Sequence, residues 1–189
     1  MMNSIRRAGL ALAALAALAL GAASADAQAK SQVSGEVNAW TPFIAGGLAI
    51  PIGKLGDVAS LGFVLNGGAE YRFNPDFGLR PEADFVYYTG KNGVSNITSF
   101  GVGASAIWHF AHEGTGFHPY GLFRLGVNAT NTSGSGGGSA SSTDLGFAPG
   151  IGGNWKCGST TCFVEGKFYI INSSPNSTNA LVFTFGVQF

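Results

Sequence analysis

Eight charged side chains stand at alternating positions of otherwise apolar segments. They are Glu70 and Arg72 in "GGAEYRF", Arg80, Glu82 and Asp84 in "LRPEAD", Arg124 in "GLFRLGV", and Glu165 and Lys167 in "VEGK". Four are positive and four negative. Neighbouring carboxylates are the raw material of acid–base catalysis; mixed with cations in equal number they are also what a buried ion-pair network needs. Two other groups have reactive side chains. Cys157 and Cys162 flank "GSTT", a spacing too long for a redox CxxC and without further cysteines for a zinc site. His109, His112 and His118 gather with Glu113 in "WHFAHEGTGFH", where imidazoles are potential ligands for a transition metal. The Gly-x-Gly of "GVGAS" lies inside an alternating strand with no helix after it, so it is no phosphate loop.

What positions these residues is a period of two. In "LGFVLNGGAEYRF", Leu61, Phe63, Leu65, Tyr71 and Phe73 share one face, and Asn66, Glu70 and Arg72 the other. Leu79, Phe85 and Tyr87 oppose Arg80, Glu82 and Asp84; Phe123, Leu125 and Val127 oppose Arg124; Val164, Phe168 and Ile170 oppose Glu165 and Lys167. Gly, Pro, Asn and Ser clusters divide the chain into eight such segments, at 35–50, 61–73, 77–89, 97–110, 117–129, 143–156, 162–171 and 180–189. Each matches the ~9–11 residues with which a tilted strand crosses a bilayer. The alternation of the first falters between Trp40 and Leu48, which predicts a bulge near "TPFIAGG".

Two features place the apolar faces in lipid. Strands two, four, six and eight end on Phe73, Phe110, Trp155 and Phe189, all on the apolar face and, in a meander, all at one rim. That is the interfacial aromatic girdle of a membrane barrel. The connections at this rim ("NPD", "AHEGTG", "GSTT") are short, and the opposite ones ("PIGKLGDVA", "KNGVSN", "NTSGSGGGSASS", "NSSPNST") longer and polar, as in outer-membrane proteins. Charged residues make up only 11% of the chain against about 25% in ordinary soluble domains, so a secreted lipocalin-like barrel, which needs a polar exterior, fits poorly. Ten basic and ten acidic residues give no footprint for nucleic acid.

At the start, "MMNSIRR" followed by "AGLALAALAALALGA" and then "ASADA" predicts a signal peptide, residues 1–25, cleaved after Ala25 or Ala27. The expected fold is therefore all-β: a cleaved leader and then, over 26–189, one eight-stranded antiparallel up-and-down transmembrane barrel. If Trp155 pairs with Val164, Cys157 faces Cys162 across the hairpin, and an oxidising compartment predicts a disulfide.

The blocks "GGAEYRFNPDFGLRPEADF", "FHPYGLFRLGVN" and "FTFGVQF" resemble those of small bacterial outer-membrane barrels, the OmpA/OmpX-like group, over nearly the whole mature chain. The resemblance implies localisation in the bacterial outer membrane, contact with its lipid, and recognition of the terminal Phe189 by the outer-membrane assembly machinery. The expected role is structural or adhesive: a monomer with a filled interior and polar loops facing an extracellular ligand of unspecified identity. No cofactor, metal, nucleic acid or catalysis is expected. A narrow channel and a lipid-modifying enzyme are the alternatives; the latter needs a Ser/His/acid set at the lipid face, whereas Ser105 and His109 fall on the interior face.

Overall fold

The computed structural model describes residues 37–110, 116–134, 138–173 and 176–189. The leader and its cleavage site lie outside them. Eight strands, β1 (Trp40–Ile52), β2 (Ala59–Arg72), β3 (Phe77–Gly90), β4 (Val94–His109), β5 (His118–Gly134), β6 (Ser139–Cys157), β7 (Thr160–Ser173) and β8 (Asn176–Gln188), pair in sequence order. β8 closes antiparallel on β1. Closure removes both sheet edges, the condition for placing backbone amides in hydrocarbon.

The alternation decides the two surfaces. Leu61, Phe63, Leu65, Leu79, Phe85, Phe123, Leu125 and Val164 face outward and are exposed. Asn66, Glu70, Arg80, Glu82, Asp84, Arg124, Glu165 and Lys167 face the lumen and are buried. An eight-stranded barrel is just wide enough for side chains to fill it. Gly101 shows how tight this is: a Cβ there would collide with Asp84 Oδ2, Asn128 Oδ1 and Arg124 Nη2.

Three expectations are corrected. β1 spans 40–52, not 35–50, and its register with β2 is continuous from Trp40↔Tyr71 to Ala49↔Gly62, without a bulge. The alternation falters in sequence because Phe43 is an inward aromatic, packed on Phe163 and beneath the Arg80 guanidinium, 4.8 Å from its ring. Second, "PIGKLGDVA" holds a short helix, α1 (Lys54–Val58), which inserts Leu55 into the far mouth of the barrel. There Leu55 meets an apolar cluster that includes Val64, Val86, Tyr88, Ile97, Tyr169 and Val182. Lys91 and Asn92 of the β3–β4 turn tie α1 down: Lys91 N donates to Val58 O (2.7 Å) and Asn92 Nδ2 to Asp57 O (2.7 Å).

Third, most of the polar segments predicted as far-rim loops are strand. Asn131–Ser133 of β5, expected to be loop, pairs with Ser139–Ser141 of β6, also expected to be loop, and with Asn96–Thr98 of β4. Ladder bonds are made by the backbone, so Ser, Thr and Asn continue a strand once a neighbouring strand fixes its register.

Candidate functional site in the lumen and at the rims

The midsection of the lumen holds six of the predicted charges in one lattice. Arg80 on β3 donates through Nη1 to Glu165 Oε1 on β7 at 2.5 Å, and its Nε lies 3.5 Å from Glu82 Oε2. Lys167 Nζ contacts Glu165 Oε2 (2.9 Å) and Glu82 Oε2 (3.6 Å). Arg124 on β5 reaches Asp84 Oδ1 (2.5 Å) and Glu82 Oε1 (3.3 Å). Two hydroxyls add to the carboxylates' contacts: Ser105 Oγ donates to Glu82 Oε1 (2.7 Å) and Tyr120 OH to Glu165 Oε1 (2.8 Å). Three cations meet three anions, so desolvation is compensated locally instead of leaving a lone buried charge.

The other two predicted charges form a separate group nearer the rim where the barrel's ends meet. Arg72 Nη2 lies 3.5 Å from Glu70 Oε1, His109 Nε2 lies 2.8 Å from the same oxygen, and Gln188 Nε2 donates to Glu70 Oε2 (3.4 Å). The Arg72 side chain retains 15% exposure, so this group is the wetter one. All eight predicted charges are thus paired, in two clusters. Ser105 lies on the interior face as its parity with His109 predicts; Tyr120 and Tyr169 share the parity of Arg124 and Lys167, a signal that assigns them to the interior, whereas Phe43 has no such signal in its segment.

This arrangement holds charge in place across the lumen. Ser105 and His109 are four strand residues apart, about 13 Å, and each is engaged by a different carboxylate. Among the described residues no group of three or more His, Cys, Asp or Glu is arranged to hold a metal. Of the predicted imidazole cluster, His109 faces the lumen and His118 begins β5, whereas His112 and Glu113 lie outside the described residues.

Phe73, Phe110 and Phe189 project outward at the terminal rim, Phe189 with 60% exposure. Trp155 sits between Phe117 and Phe185, with ring centroids 6.2 Å from each. Trp40, Phe77, Trp108 and Phe117 extend the belt. Trp40 and Phe77 begin their strands, Phe117 directly precedes β5, and Trp108 is the penultimate residue of β4.

Cys157 and Cys162 form the predicted disulfide, Cα–Cα 5.6 Å, on the outer side of the β6–β7 hairpin. The register differs from the predicted one: Trp155 pairs with Cys162 and Gly153 with Val164, so Cys157 lies opposite Thr160 and the bridge runs diagonally. A two-residue turn at Gly158 (φ 67°) and Ser159 replaces the expected four-residue GSTT turn and shifts the register by two residues.

A family model described as "Outer membrane protein beta-barrel domain" matches residues 10–189. Among solved structures, Neisserial surface protein A (NspA) aligns with a TM-score of 0.64 at 20% identity, covering 79% of this chain and 95% of its own. Ail, the attachment invasion locus protein of Yersinia pestis, aligns with a TM-score of 0.50 at 17% identity, covering 82% and 100%. At such identities the likeness concerns the fold. No curated protein sequence matches the chain. With a closed eight-stranded barrel, an apolar exterior and a family match over nearly its full length, the chain belongs to the outer membrane protein beta-barrel family of the bacterial outer membrane.

Proposed function

We propose that the protein is a non-catalytic, plugged barrel that anchors a polar β-sheet at the cell surface for contact with other surfaces. The observation that carries this reading is the β4–β5–β6 sheet at the extracellular rim. β6 pairs with β5 from Ser139 onward, but its ladder with β7 begins only at Gly146↔Ile171. Over residues 139–143, among the described residues, the edge of β6 away from β5 makes no ladder with β7. The segment "SASSTDL" carries a single charge, Asp144, and residues 139–143 are exposed. An unpaired edge is a template for main-chain hydrogen bonding to another chain. Scarce charge favours contact through backbone and hydroxyls over electrostatic capture. Ail is named for attachment, the same class of role.

The test is to replace residues 131–141 with Asn-Gly, which closes the hairpin at Thr130↔Ser142 with a two-residue turn. Cells displaying the intact barrel are expected to adhere to polystyrene and to collagen or fibronectin films well above vector controls. Cells with the shortened, still folded barrel are expected to fall to the control level. Equal adhesion by both, or none by the intact protein, would remove the surface-contact role and leave a structural one.

A further inference from the structure

We propose that the lipid-facing wall formed by β5 to β8 and β1 holds one ordered phospholipid acyl chain of the inner leaflet. The register aligns two rows of outward positions across five strands. The first runs Gly121, Ile151, Gly166, Phe183, Leu48; the second runs Pro119, Gly153, Val164, Phe185, Gly46. Phe110 covers Gly121 and Phe117 covers Gly153, whereas Gly46 and Gly166 stay uncovered and open a groove of about 760 Å³ between Leu48, Ile151, Val164, Phe183 and Phe185. This lies within the ~300–1,000 Å³ of sites that hold small ligands. Ile151, on its wall, is 72% exposed, the highest value among the large hydrophobic side chains described.

Depth and shape select the occupant. Ile151 lies four residues inside Trp155, and Val164 two residues inside Cys162, the partner of Trp155, so the groove opens about 6–13 Å along the strands from the periplasmic girdle, in the inner-leaflet half of the apolar band. Water and soluble peptides are excluded there. A second copy of the barrel is a convex cylinder and cannot fill a concave groove on another. A methylene chain can follow it, and unfilled space would forfeit dispersion contacts along the whole lining. Tyr120, Glu165 and Thr184 border the groove from the lumen side and are buried, and its outward side chains carry no charge to hold a head group inside it. At its periplasmic lip, Trp155 lies between the groove residues Phe117 and Phe185. Its indole N–H is the type of donor that suits a lipid ester or phosphate oxygen at the interface.

The test uses the full barrel reconstituted in phosphatidylethanolamine/phosphatidylglycerol nanodiscs, released into mild detergent and weighed by native mass spectrometry. Gly166→Leu and Gly46→Leu each fill the groove. A Cβ at Gly166 comes no closer than 3.4 Å to the Phe183 ring and one at Gly46 no closer than 3.6 Å to Leu65, so both variants have room to fold. Ala104→Leu, outward on β4, is the control. The unaltered barrel and the control are expected to retain one phospholipid, and each groove variant to retain about tenfold less. Equal retention by all four, or none by the unaltered barrel, overturns the proposal. So does a dimer that the groove variants dissolve, which would assign the wall to a second copy. Retention lost in only one variant, with both folded by heat-modifiable migration, also overturns it, because both glycines border the same groove.

Discussion

Arg80 and Glu165 meet across the lumen at 2.5 Å, joining β3 to β7, strands four apart in a ring of eight. Their side chains thus bridge opposite walls of the barrel. With Tyr120 donating to the same carboxylate oxygen and Lys167 contacting the other, Glu165 is the point where three strands are tied.

Removing one partner of that pair strands the other. Arg80→Ala is expected to destabilise the folded barrel by about 3–5 kcal/mol, and Arg124→Ala by a similar amount, because each leaves a buried carboxylate undercompensated. Lys91→Ala, at an exposed turn where Nζ makes only a 3.3 Å bond to Gly56 O, should cost under about 1 kcal/mol. Urea titration in micelles, read by the gel shift of folded against unfolded barrel, ranks the three. Equal midpoints for Arg80→Ala and Lys91→Ala would show that the lattice does not contribute to stability.

The same lattice, together with Leu55 in the far mouth, predicts a closed lumen. Purified barrel in planar bilayers should give no steady porin-like conductance, and liposomes containing it should not swell in isosmotic sugar. Leu55→Ser alone should leave conductance unchanged, because the ion pairs lie beyond the apolar cluster it caps. A steady open channel in the unaltered protein would refute the plug.

Oxidation at the β6–β7 turn should be complete in protein taken from the envelope. Non-reducing peptide mapping is expected to recover Cys157 linked to Cys162 with no free thiol. Replacing both by Ser should cost about 2 kcal/mol, the scale for so short a loop. Free thiols in envelope protein would contradict the observed register.

Phe189 makes the last backbone contact of the chain, donating from its amide to Pro42 O at 2.9 Å, with its ring outward in the girdle. Phe189→Ser keeps the amide and removes the aromatic anchor; deletion removes both. If the ring serves insertion, both changes lower the folded amount in the outer membrane several-fold and Phe189→Trp restores it. A normal level in Phe189→Ser would restrict the role of this residue to the backbone bond.

The barrel, its two faces and its girdle are legible in the residues alone, because a period of two is a local property: each residue's parity says which face it occupies. The same parity assigned all eight lumen charges, and the equal count of signs required their pairing. Which charge meets which was beyond its reach. Arg80 finds Glu165, 85 residues away, through closure and stagger of the sheet, and neither is encoded in any one segment.

Tertiary structure also decided where local patterns misled. Phe43 breaks the apolar–polar rule because an inward aromatic has Arg80 and Phe163 to cover it. Leu55 looks like part of a polar loop until the barrel mouth supplies an apolar cluster. The Ser- and Thr-rich tip of β5 and β6 has little apolar side chain to announce a strand; its order comes from backbone bonds to neighbours already in register. In each case the deciding partner lies far along the chain, and only the closed sheet brings it near.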